Sequence, residues 1–248
     1  DKWSELLGVS RLATWGELDL DIKESALMLN GITFAREQEP LFLNIFASPT
    51  PVKIELHEMM PSGTSSFLHL GISDRTRFAR EVEEYLIGLG RWPKIAREQE
   101  ALSKKYGLDP LGDLIKLIDD EIAWFSMEGV TNHPREEVFV VETRSQSEST
   151  EVLMQWIELY LQVNAFDMAS YRFTYKLDKQ TSFNIYRMPE FYTEGLLPGF
   201  LFNRYFTIYE NYLIFGPSVE VLSRVLYQNV LHKTFISDPV FKDMSEYL

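Results

Sequence analysis

The sequence predicts an α+β protein, with antiparallel β-meanders and amphipathic helices packed on one side, built from loosely repeated strand–strand–helix units. Short stretches alternate apolar and polar residues with a period of two, the signature of half-buried strands. Others repeat apolar residues at helical spacing, with capping residues at their ends. Three stretches also share one order of elements: an apolar strand, a short polar link and an amphipathic helix. They are "SSFLHLGISDRTRFAREVEEYL" from Ser65, "EEVFVVETRSQSESTEVLMQWI" from Glu136 and "ENYLIFGPSVEVLSRVLYQNVL" from Glu210. Each is preceded by a further strand-like run, at Val52–His57, Glu121–Met127 and Tyr205–Tyr209.

The elements follow in order. Leu18–Phe46 reads as a strand meander, in which Asn30-Gly31 is either a hairpin turn or a bulge inside one strand; the short flanks favour the bulge. Val52, Ile54 and Leu56 alternate with polar residues, as do Leu68, Leu70 and Ile72. A register folding about Gly63 places all six on one face of a hairpin. Phe78, Val82, Tyr85, Leu86 and Leu89 mark a first helix. Two more lie between Pro93 and Asp120, divided at "YGLDP", where Gly107 suits a helix end and Asp109-Pro110 a helix start. Val152, Leu153, Trp156, Leu159, Tyr160 and Val163 define a fourth, and Val221, Leu222, Val225 and Leu226 a short fifth after Pro217. "YRFTYKL" with "SFNIYRM", and "YFTIYENYLIF", read as hairpins. Three regions result: 1–90, 91–165 and an aromatic-rich 166–248, with one continuous domain as the alternative.

Composition narrows the function. With 45% apolar residues the chain is able to bury a core, and no apolar run approaches the ~20 residues of a membrane-spanning helix. A formal charge of −13 repels phosphate backbones, and the basic stretches Arg91–Arg97 and Lys104–Lys105 are interleaved with acids or apolar residues, so nucleic acid is set aside as a partner. Cysteine is absent, which removes disulfides and thiolate chemistry. The opening "DKWSELLGVS" has no export signal, and the chain reads as a piece of a longer protein.

Several constellations invite chemistry. In "GELDLDIKES" the acids Glu17, Asp19 and Asp21 alternate with Leu18, Leu20 and Ile22. A calcium loop from Asp19 would need glycine at its sixth position, where Glu24 stands, and a ligand at its fifth, where Lys23 stands. The acids therefore read as the wet face of a strand. The Gly63 register sets His57 opposite His69 beside Glu55, a weak zinc candidate outweighed by a chance surface pair. Asp119, Asp120 and Glu121 read as helix-end solvation. Serine-hydrolase elbows, Walker loops and dinucleotide-binding turns are missing. No catalytic residue, cofactor or metal is assigned.

The densest aromatic stretch, Phe183 to Phe215, holds eleven aromatics in 33 residues. Its middle, with Gly195, Pro198 and Gly199, reads as an apolar loop that is either packed under the sheet or a docking surface. The candidate interaction surface is Phe191, Tyr192, Leu197, Phe200, Phe202 and Tyr205.

"LDLDIKESALMLNGITFA", "PGFLFNRYFTIYENYLIFGPSVEVLSRVLYQ" and "DPVFKDM" together resemble a family of uncharacterised envelope proteins of Bacteroides-type bacteria, which carry a domain of unknown function after an N-terminal anchor or export signal. The resemblance implies an extracytoplasmic location (periplasm or cell envelope), a larger parent protein and membrane attachment only through an anchor outside this chain. It brings no catalytic residue, cofactor or substrate. The expected function is a non-enzymatic interaction or structural module whose partner is another envelope protein or the rest of its own chain. The alternative is a ligand-binding protein or hydrolase acting on an envelope glycan or lipid, with Trp124 and Tyr192 stacking on sugars.

Overall fold

A computed structural model describes residues 11–22, 27–46, 50–128, 135–190, 204–239 and 241–242. It is α+β, and all of its strand pairs are antiparallel. β1 (Trp15–Ile22) and β2 (Leu27–Phe34) form a two-stranded ribbon. The other strands are β3 (Thr64–Gly71), β4 (Ile118–Glu128), β5 (Arg135–Thr143), β6 (Arg172–Lys176), β7 (Ser182–Arg187), β8 (Tyr205–Tyr209) and β9 (Tyr212–Gly216). They make one seven-stranded sheet in the order β3-β4-β5-β9-β8-β7-β6. Two meanders, β3-β4-β5 and β6-β7-β8-β9, meet at the β5–β9 seam, so β3 and β6 are the outer strands.

The helices follow their local signals. α1 (Arg75–Gly88) starts where Asp74 accepts from Arg77 N–H, satisfying one of the unpaired N–H groups of a first turn. α2 (Trp92–Tyr106) carries a first-turn proline and ends at Gly107, whose φ of 72° is the left-handed conformation glycine adopts without strain. Asp109 caps α3 (Pro110–Leu117), Ser145 caps α4 (Gln146–Asn164) and Ser218 caps α5 (Val219–Val230). Alternation along β5 and β9 divides the core into two layers. Phe139, Val141, Leu213 and Phe215 pack under α1–α4 with Phe78, Ile95, Leu114 and Trp156, whereas Val138, Val140 and Ile214 pack under α5 with Leu56 and Met60. Four helices thus share one face, and α5 takes the other.

The hairpin expected about Gly63 does not form. β3 pairs with β4, Leu70 opposite Ile122 and Leu68 opposite Trp124, and the segment expected as its partner ends in a one-turn 3-10 helix at Leu56–Glu58. The cause is long-range. The Glu121 carboxylate on β4 accepts the backbone N–H groups of Glu55 and Leu56 at 2.8 and 2.6 Å, and Leu56 is fully buried against α5. Met59 and Met60 follow it down, held by Asn229 Nδ2 donating to Met59 O and Phe235 N donating to Met60 O. The strand–strand–helix repeat is accordingly not supported. Its first unit lacks a strand, and the helices of the second and third units, α4 and α5, lie on opposite faces.

Candidate functional site

Two places in this fold depart from what packing alone requires: the β1–β2 ribbon and a bulge in β4. The ribbon begins at an anchored base. Thr14 N donates to Phe34 O, Arg36 N to the Thr14 hydroxyl and Asn44 Nδ2 to the Arg36 carbonyl, while Trp15 stacks on Phe34 at 6.1 Å. Phe42 and Phe46, following the ribbon, dock on Tyr85 and Phe78 of α1. Beyond this base all eight residues of β1 are exposed.

Register sorts the ribbon's side chains. Leu18, Leu20 and Ile22 share one face with Leu29, and their exposures are 61, 55, 71 and 58%. Glu17, Asp19 and Asp21 share the opposite face with Asn30 and Ile32. The acids are indeed a wet strand face, but the apolar side of the same strand is equally uncovered. Asn30-Gly31 sits mid-strand rather than in a turn, and Gly31 is there because a Cβ would collide with the Glu17 carbonyl oxygen. An isolated two-stranded hairpin is at best marginally stable in water, and three or more strands or a packed face are needed to hold one. Among the described residues no strand lies beyond either edge of the ribbon.

The bulge gathers acids. Between the pairs Ile118–Thr143 and Ile122–Val141, three residues of β4 (Asp119, Asp120 and Glu121) stand against the single Glu142 of β5. Glu121 is 1% exposed, so its expected role as helix-end solvation is wrong: it is a buried acceptor for the Glu55 and Leu56 N–H groups, with His69 Nε2 3.3 Å away. Burial by itself would raise the Glu121 carboxyl, but the imidazole and the two N–H groups outweigh it and hold the group below the ordinary glutamate value. Among the described residues Glu142 has no such donors. Burial and then the charges of Glu121, Asp119, Asp120 and Glu55 push it up to about 7. Tyr212, opposite Glu142 on β9, is pushed up to about 12 by burial and then by the charges of Glu142, Glu121, Glu58 and Glu210.

The sequence-derived sites fare unevenly. His57 lies in the 3-10 turn and His69 stands opposite Ala123, so the expected histidine pair is not formed, and no group of three ligating side chains is poised for a metal among the described residues. Trp124 is buried and unavailable to stack on a sugar. Phe191, Tyr192, Leu197, Phe200 and Phe202 lie outside the described residues. Tyr205 is on β8, half-buried, edge-on to Phe173 of β6 at 5.7 Å. The strands of the ribbon were expected, but its open apolar face was not, because alternation marks a strand without saying whether anything covers its apolar side.

No family model matches the chain, and no curated protein or solved structure matches it. What fold and geometry define is a class: an α+β protein whose sheet is packed on both faces and which bears an acidic, uncovered β-ribbon.

Proposed function

We propose that the chain is an interaction module of a larger envelope protein and that the β1–β2 ribbon is the part it offers. The observation that carries this is the exposure of Leu18, Leu20, Ile22 and Leu29 on a ribbon with no strand beyond either edge among the described residues. Unpaired N–H and C=O groups beside an apolar stripe are the ordinary means by which one chain adds a strand to another. The envelope setting and the larger parent rest on the sequence resemblance. A photo-crosslinking residue at Leu20 tests the reading in cells. A defined protein is expected in the crosslinked species, lost when Leu18 and Ile22 become serine in a variant with unchanged circular dichroism. Crosslinks spread over many unrelated proteins, or none, would count against it.

A ligand-binding or hydrolytic role on an envelope glycan or lipid is the second reading. It is favoured by the β4 bulge, where an ionised Glu121 and a Glu142 protonated near neutrality occupy adjacent strands, the split that acid–base catalysis uses. Glycan turnover with a pH–rate limb near 7, abolished by Glu142→Gln, is the expected result on this reading. A flat profile across a glycan panel removes it.

A further inference from the structure

The ribbon's acids have a counterpart on the same chain. β6 is the outer strand of the seven-stranded sheet, and among the described residues no strand lies beyond it. It alternates in the complementary sense. Arg172, Thr174 and Lys176 point to one face, while Phe173 and Tyr175 point to the other, next to Ile185 and Phe183. Phe173 is itself 36% exposed, steadied by Tyr205. Both basic residues are exposed, and no carboxylate pairs with either among the described residues.

We propose that β1 of one copy adds to the β6 edge of a second copy, extending its sheet by the ribbon. This rests on the reading of the ribbon as an interaction element and names its occupant. An antiparallel register satisfies every position at once. Glu17 faces Lys176, Asp19 faces Thr174 and Asp21 faces Arg172 on one side, while Leu18 faces Tyr175 and Leu20 faces Phe173 on the other. Cross-strand opposite charges and apolar pairs are what stabilise such ladders. Pairing β1 with β1 of a second copy fails the same test. Any antiparallel register that keeps the apolar residues on one face sets acids against acids, and a one-residue slip puts carboxylates among leucines. The joined edges differ, so the contact is head-to-tail and propagates unless its rotation closes a ring.

Charge reversal in the full 248-residue chain tests this by sedimentation velocity over rising concentration. The unmodified chain is expected to gain mass with concentration, and less so at high salt, since exposed pairs are screened. Two variants, Glu17→Lys/Asp21→Lys and Arg172→Glu/Lys176→Glu, are each expected to stay monomeric, because each then carries like charges on both edges. Mixed in equal amounts they are expected to associate again, since each now offers what the other lacks. A chain that stays monomeric into the millimolar range overturns the proposal. So does association that survives either reversal, or a mixture of folded variants that does not regain it. If the Leu20 crosslinker captures a different protein while the isolated chain stays monomeric, the second copy is refuted and the interaction reading stands.

Discussion

Glu142 binds its proton more tightly in the folded chain than in the unfolded one, because burial and four neighbouring acids lift its carboxyl from 4.5 to about 7. The raised value contributes stability that is complete below about pH 4.5 and is lost as pH climbs through about 7. Glu142 is partly exposed, and solvent screening reduces the effect to roughly 1 kcal/mol. Glu142→Gln keeps the neutral shape without the charge. Urea unfolding should show it more stable than the parent at pH 8 by about that amount, and equal to it near pH 4. An equal gain at both values would mean that packing, not titration, is responsible. Glu121 has the opposite sign: its lowered carboxyl gives stability present above the unfolded value and lost as pH falls. Reading "DDE" by local position missed this. What makes Glu121 special is two N–H groups 65 and 66 residues earlier in the chain, and no window of sequence contains both partners.

The helices were legible because their causes are local. Asp74, Asp109, Ser145 and Ser218 accept the N–H groups that a first turn leaves open, and Gly107 ends α2 in the left-handed region, all within a few residues of the boundary they set. Strand existence was nearly as legible, and partnership was not. "VKIELHE" and "SSFLHLG" alternate equally well, yet only the second is a strand. β4 offers β3 an apolar partner buried on both faces, while the Val52–His57 segment is drawn out of register when Glu121 takes its N–H groups and Leu56 drops under α5. The ribbon shows the same limit reversed. Its alternation, and the glycine that lets β2 approach Glu17, are written in the sequence, but its apolar face is not covered within the described fold. Elements are thus specified by neighbours in sequence and their faces by neighbours in space.

At the scale of the whole molecule, the packed body holds the fold together, and on the proposed reading the ribbon is left for recognition. Trp156 and Phe206 are almost wholly buried in the layer between sheet and helices, where truncation leaves a cavity the packed neighbours cannot fill. Either residue changed to alanine is expected to cost about 3–5 kcal/mol in chemical unfolding. Leu18 and Leu20 are as apolar as many core residues, but they remain in water after folding, so removing them takes away little that folding gained. Leu18→Ser with Leu20→Ser should therefore leave the unfolding free energy of the dilute chain within ~0.5 kcal/mol of the parent, as surface substitutions usually do. At concentrations where copies associate the comparison should change. Binding that engages only the folded state raises apparent stability by mass action, so the parent's thermal midpoint should climb with concentration while that of the serine variant stays flat. A double-serine variant that unfolds early even in dilute solution would place the ribbon's leucines in the body's own core instead.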